Sequence, residues 1–450
     1  MRFGMMASRL LALCLLFLLA ACTMPRLFEQ KQRGPREPGV VILLPGDGPY
    51  AGIASKILEG ATLARDELRG HGINVTLAFI DTNKKGWQEK LHALPSHFNV
   101  VGGPIERTTY SLLKKNGLLS ERTHFAFMNN LDGADEGTLA YRFFPSPNDQ
   151  VEALVDFATE ALKIHSFGAF YGTDDYSTKM ASLFAAKVRE KNASLRSVTY
   201  SSTDPKKITE QARALINPVQ SGSNVLPQTS FEAVFLPASW RRVDSIQKAF
   251  VNCGEDRLVL LGTTSWEQSV VGKKLDRAER FELAVFPVAW NMHARVKALE
   301  KVAPDFWRAL GYDFMQFAVN LNLHERATPP QVVQKANRST GIVRLLAPLH
   351  WDARGIAHQK LFIHRVTSDG MAPMDVALFE KLRVTHRERA AIRMQGGASD
   401  DAPAPVRREV RADPAPIVQE RVEQPAPRAP EPVLERPPQS SYKLRLPTKR

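Results

Sequence analysis

Cysteine is scarce in this chain. Its 450 residues hold only Cys14, Cys22 and Cys253, too few for a disulfide framework, so a fold of this length has to rest on packing. Long apolar runs are missing too: the stretch over residues 10–21 falls short of the roughly 20 residues that span a bilayer as a helix. Catalytic signatures are equally thin. There is no G-x-S-x-G nucleophile elbow. Ser111 and Lys114 match S-x-x-K, but no K-T-G, S-D-N or Y-x-N triplet accompanies them, and the tetrad sits in an ordinary amphipathic helix. His92 and His97 are five apart, unlike a zinc-binding helix pair, and His358 and His364 flank a strand. No metal, no cofactor and no enzymatic activity are expected.

What is present begins at the N-terminus. Arg2 and Arg9 precede the apolar stretch, which is interrupted only by Cys14 and ends in Leu19-Ala20-Ala21-Cys22. Residues 1–21 therefore read as a signal peptide. Small residues directly before a cysteine resemble the lipobox of bacterial lipoproteins, which implies that Cys22 carries the lipid and becomes the mature N-terminus. One acyl chain anchors marginally, whereas several hold stably at about 0.8 kcal/mol per buried CH₂. Thr23 stands where lipoproteins kept in the inner membrane tend to have Asp, so the periplasmic face of the outer membrane is the expected location. Residues 22–38, with Pro25, Pro35 and Pro38, read as a polar, lipidated tether. Cys253 is then left alone near a helix end, as a buried, inert thiol. The net charge of +13 is scattered, and two of its positives leave with the signal peptide. Export argues against nucleic acid as a partner and leaves anionic wall polymer or lipid headgroups.

From Gly39 the pattern becomes regular. VVILLP over residues 40–45 is a β-branched run of the kind buried on both faces of a parallel sheet. It is followed by GDGPYAG and a helix with apolar positions at Ile53, Ile57, Leu58, Ala61, Leu63 and Ala64. Strands at 73–81, 99–104 and 123–130 alternate with helices, the one over 108–117 closed by Gly117. The alternation restarts after Pro145-Ser146-Pro147 with a helix capped by Asn148. It continues through a long apolar-faced helix at 306–322 to two or three strands around a turn at 352–355. This density of strand–helix repeats predicts an α/β fold of two doubly wound parallel-sheet lobes with a cleft between them. One lobe takes residues 39–145 with 291–340 returning to it, and the other 146–290 with 341–385 returning. Residues 396–450 alternate Pro, Ala and mixed charge with almost nothing to bury. They predict a disordered, polyproline-biased tail, reaching on the order of 150 Å at roughly 3.1 Å per residue.

The order of segments from VVILLPGDGPYAGIASKILEGATLA through NVVGGPIERTTYSLLKKNG, RFFPSPNDQVEALVDFA, FGAFYGTDDYSTKMASLFAAKV and FEAVFLPASWRRVDSIQKAF to FWRALGYDFMQFAVNL resembles the type I periplasmic-binding-protein family, in its leucine-binding branch. LLPGDGPYAG and the Thr340-Gly341 pair are more similar to the C-terminal module of the lipoproteins that activate penicillin-binding proteins. The helical-repeat N-terminal domain of longer activators has no counterpart here, so its contacts are not carried over.

The resemblance implies a set of cleft residues. Gly46, Gly48 and Gly52 do not have dinucleotide spacing and no Walker lysine follows, so that loop reads either as a tight helix-starting turn or as free N–H groups facing a ligand, with Asp47 favouring an amine. Thr108 and Thr109 match the receptors' carboxylate-binding loop, with helix capping as the alternative. Asn129, followed by Asn130, ends the next strand; Tyr176 matches an aromatic laid over the ligand. Ser239, Trp240, Ser265 and Trp266 end second-lobe strands, and Glu267 lies one step from the receptors' acid. The expected role is a non-enzymatic envelope lipoprotein that regulates peptidoglycan synthesis through a cell-wall synthase. The alternative is a solute-binding lipoprotein of an amino-acid ABC transporter, with an amino-acid-like or peptide ligand.

Overall fold

The computed structural model describes residues 37–394, apart from 202–203, 205–206, 223, 301, 303–304, 324–325 and 344. The expected signal peptide, the expected lipidation site Cys22, the tether up to residue 36 and the Pro-rich tail lie outside the described residues.

The first sheet is wholly parallel. Its strands β1 (Gly39–Leu44), β2 (Thr76–Asp81), β3 (Val100–Gly102), β4 (Thr123–Ala126) and β5 (Ala140–Arg142) run in the order β2-β1-β3-β4-β5. β1 shows why the opening run is continuously apolar. Val41 and Leu43 enter the core on one face, Val40, Ile42 and Leu44 the core on the other, and all are buried. Helices α1 (Ala51–Gly70), α2 (Trp87–Ala93) and α3 (Arg107–Lys115) make the crossovers.

After β5 the chain leaves the first sheet through α4 (Pro147–Asp156). Its cap is Ser146 rather than the expected Asn148: the Ser146 hydroxyl accepts from the Asp149 N–H at 3.0 Å and the Asp149 carboxylate accepts from the Ser146 N–H at 2.7 Å. Pro147 at the first helical position fits that reciprocal box.

The second sheet has seven strands. β6 (Ser166–Gly172), β7 (Ser194–Tyr200), β10 (Ala233–Phe235), β11 (Val259–Leu261) and β12 (Ala284–Val288) are parallel, and β15 (Phe362–Thr367) and β16 (Gly370–Pro373) add to β12 antiparallel. The order is β16-β15-β12-β11-β10-β6-β7, so the expected all-parallel sheet carries an antiparallel hairpin at one edge, where a short turn suffices in place of a crossover. Two small hairpins, β8 (Val219–Ser221) with β9 (Asn224–Leu226) and β13 (Leu349–Trp351) with β14 (Ala357–Gln359), stand apart from both sheets. Helices α5 (Asp175–Glu190), α6 (Lys207–Ile216), α7 (Trp240–Asn252) and α8 (Glu267–Val270) accompany this sheet. Cys253 closes α7 fully buried, and burial raises its thiol pKa.

Between β12 and β13 lie α9 (Phe306–Leu321) and α10 (Pro329–Ser339). Although late in sequence, α9 packs on α1. A Cβ on Gly60 would lie 2.0 Å from the Arg308 carbonyl oxygen, and one on Gly311 would lie 1.9 Å from that of Ile57, so two glycines let the backbones touch. The last described element, α11 (Val376–Met394), buries Phe379, Arg383 and Ala390. Sequence reading did not pick it out because one of its inward positions is an arginine, whose guanidinium is used up by the Leu162 carbonyl and the carboxylates of Glu232 and Glu380. No described helix is long and apolar enough to cross a membrane.

Candidate functional site: the cleft between the sheets

Both parallel sheets reverse direction after their first strand: β1 has β2 on one side and β3 on the other, and β6 is flanked by β7 and β10 in the same way. Loops beyond the carboxyl ends of strands at such points form crevices. A cavity of about 700 Å³ is lined from the first sheet's side by Ile53, Lys56 and Asn129 and from the second by Tyr176, Thr264, Ser265 and Glu267. The connecting segments supply the rest, notably Phe144, Gln150, Trp290, Asp305 and Trp307.

The polar groups in this cavity are mostly matched within the protein. Asp305 caps α9, accepting from the N–H groups of Trp307 at 2.9 Å and Arg308 at 3.1 Å, and pairs with Lys56 at 3.2 Å. Gln150 accepts from the Thr264 N–H at 3.2 Å and its hydroxyl at 3.1 Å. Glu267 is 8% exposed. Burial pushes its carboxyl up to about 7, opposed by the Trp290 indole N–H that donates to it and reinforced by Asp305. A second cavity of about 250 Å³ shares Ile53, Asn129, Phe144 and Trp307 with the first and extends to Tyr50, Ile105 and Arg107.

No protein-family profile and no curated protein matches the sequence. Solved structures do. The C-domain of LpoA from Haemophilus influenzae, a regulator of PBP1A, superposes with a TM-score of 0.53 at 12% identity, over 75% of this chain and 100% of that domain. Full-length LpoA gives 0.53 at 13%, with 75% of this chain matched to 58% of LpoA. A protein described as a branched-chain amino acid ABC transporter from Rhodospirillum rubrum gives 0.54 at 14%, over 75% and 99% of the two chains. The chain has the type I periplasmic-binding fold.

Within that fold the residues singled out from sequence separate into two groups. Asn129 and Tyr176 line the large cavity, Tyr176 being 44% exposed, as do Ser265 and Glu267. The others lie elsewhere. Asp47 is solvent-exposed, with Asn83 donating to its backbone carbonyl at 2.9 Å and to its carboxylate, and Lys84 at 3.6 Å. The loop N–H of Gly46, instead of facing a ligand, donates to Asp81 at 2.7 Å. Thr108 is exposed in the first turn of α3 and Thr109 is buried; neither lines either of these two cavities or caps the helix, whose N-cap is Glu106. Ser239 is the N-cap position of α7, with no side-chain capping bond.

Trp240 and Trp266 are the clearest corrections. They pack edge to face on each other, 5.3 Å between ring centroids, with Phe281 4.7 Å from Trp240. Trp266 has no exposed surface, and its indole donates to the Ala238 carbonyl at 2.7 Å. The 3₁₀ turn at Thr264–Trp266 turns the ring back over Gly262, where a Cβ would strike it. The expected pair of cleft tryptophans is thus a core cluster, and the cavity's indoles are Trp290, just beyond the carboxyl end of β12, and Trp307, in the first turn of α9. Gln150 is the last residue of the segment RFFPSPNDQ already noted, and Trp290 follows the apolar strand AVFPV, the strand-end signal that could have found it.

Ser111 and Lys114 show no catalytic arrangement: the hydroxyl donates to the Arg107 carbonyl at 2.9 Å, and the ammonium pairs with Asp135 at 2.8 Å and Asp132 at 3.6 Å. Among the described residues, no group of three or more His, Cys, Asp or Glu side chains converges to hold a metal.

Proposed function

We propose that this protein is a non-enzymatic regulator of peptidoglycan synthesis, lipid-anchored through Cys22 at the periplasmic face of the outer membrane, acting on a cell-wall synthase as LpoA acts on PBP1A. The observation that carries this reading is that the acids of the large cavity are already matched. A receptor for free amino acids needs an unspent acid for the ammonium beside the site that holds the carboxylate. Here Thr108 and Thr109 lie outside the cavity, Asp305 is committed to α9 and Lys56, and Glu267 is held near neutrality beside Trp290. The likeness to the whole LpoA C-domain supports the same reading, although the transporter component is equally similar in fold. The test is whether immobilised full chain retains a bifunctional cell-wall synthase from the same membrane and raises its glycan polymerisation or crosslinking rate. A chain that neither retains a synthase nor changes its rate sinks the proposal.

A second reading, a solute receptor, draws on Tyr176 and Glu267 sharing one cavity. Calorimetric binding of free amino acids, abolished by Tyr176→Ala, would establish it instead.

A further inference from the structure

The smaller cavity has a chemistry of its own. Its walls are apolar and aromatic: Ile53, Ile105, Phe127, Phe144 and Trp307, with Tyr50 at the rim. Its charged residue is Arg107. The guanidinium donates to the side-chain oxygen of Asn130 at 3.2 Å, a neutral acceptor, and among the described residues no carboxylate lies within ion-pair distance of it. Most other arginines and lysines near the cleft are matched: Lys56 by Asp305, Arg308 by Glu59 and Asp305, Lys84 by Asp47. Asn130 and Arg107 come from different segments, the loop after β4 and the start of α3, and both line the same cavity. The bond between them fixes the planar fork of the guanidinium and leaves other N–H donors to spare, since arginine carries five.

We propose that this cavity binds a small organic monocarboxylate with an apolar, ring-sized body, the ring against Phe127, Phe144 and Trp307 and the carboxylate on Arg107. About 250 Å³ is ample for such a body, since an apolar cavity of about 150 Å³ accommodates benzene. A charge-assisted pair to a carboxylate is the strong form of hydrogen bond that an otherwise unmatched guanidinium is suited to make. The same geometry selects against amino acids. An α-ammonium held beside the bound carboxylate would sit close to Arg107, and the residues lining this cavity include no Asp or Glu to receive it. The site therefore answers to a different ligand class from the zwitterions of amino-acid receptors. It is compatible with a regulator whose partner binding is tuned by a small molecule, and it stands whether or not the partner is a synthase.

The probes are 3-phenylpropanoate, its neutral analogue 3-phenylpropanamide, and L-phenylalanine, titrated into the full chain by calorimetry. Binding of 3-phenylpropanoate at least tenfold tighter than either of the others is expected. Arg107→Gln should remove the preference for the carboxylate over the amide and leave Tm unchanged, because Arg107 is exposed; Arg107→Lys should keep part of it. Phe144→Ala should weaken carboxylate and amide alike. No heat with 3-phenylpropanoate up to millimolar concentrations, equal binding of L-phenylalanine, or an Arg107→Gln protein that still distinguishes carboxylate from amide would each overturn the proposal.

Discussion

Arg142 and Asp149 form a buried ion pair at 3.0 Å across the connection that leads from the first sheet to the second. Their side chains are 3% and 2% exposed. Arg142 also reaches Glu136 at 3.2 Å and the carbonyls of Phe144 and Ala357, while Asp149 accepts from the Gln359 N–H at 3.2 Å. One charge pair therefore ties the end of β5, the start of α4 and strand β14 together.

Removing one partner strands the other in a low-dielectric site. Asp149→Ala should cost about 3–5 kcal/mol of unfolding free energy, read by urea denaturation. Arg142→Met combined with Asp149→Ala should cost less than the sum of the two single changes. Additive losses would show that the two residues act separately, through capping and packing.

The contact of α1 with α9 allows no side chain at its crossing. Gly60→Ala and Gly311→Ala should each destabilise by about 3 kcal/mol or more, because the obstructing atom is a backbone oxygen that cannot rotate away. That exceeds the roughly 1 kcal/mol that alanine gains over glycine in a helix. Gly70→Ala, with nothing within 4 Å of the new methyl group, serves as the control and should leave Tm within a degree or two.

Glu267 should make stability fall as pH rises. Below about 4.5, its ordinary pKa, the carboxyl is protonated in both states; between 4.5 and 7 the folded protein retains a proton that the unfolded chain has released; above 7 the penalty is complete. Burial of His124 and His364, both lowered to about 4, acts oppositely, with stability lost as pH falls from 6.5 to 4. The difference between the wild type and Glu267→Gln isolates the carboxyl. The variant keeps an acceptor for the Trp290 indole and should be more stable at pH 8 by on the order of 3 kcal/mol, with the difference vanishing near pH 4.5. A gap that does not change with pH would show that burial leaves the Glu267 carboxyl at its ordinary pKa.

At the N-terminus, Cys22→Ser should leave an unprocessed or soluble protein. Detergent partitioning and the mass of the mature N-terminus measure it. A protein cleaved at another position and carrying no lipid would overturn the anchor.

The central strands were legible because both of their faces are buried: GVVILL at residues 39–44 has no polar position to break the run. The start of α4 was legible as a boundary, though its cap was misplaced by two residues, since Ser, Pro and Asn all favour helix starts and only the reciprocal bond with Asp149 distinguishes Ser146. Two of the expected cleft residues line the cavity. Asn129 is in the loop after β4 and Tyr176 in the first turn of α5 after β6, both beyond the carboxyl ends of the strands. Trp266 lies a few residues beyond β11 yet packs in the core, because the 3₁₀ turn at Thr264–Trp266 folds its ring back over Gly262.

By itself, then, the sequence determined the alternation of buried strands and amphipathic helices and the places where loops leave the sheets, since these depend on neighbours a few residues apart. Which side chains from those loops meet was decided only by the tertiary structure. Glu267 takes its partner from Trp290, Arg107 from Asn130, and Lys56 from Asp305, 249 residues away. Burial, hydrogen bonding and charge matching at such distances are set by how two sheets and their connecting segments close on one another, which local periodicity does not encode.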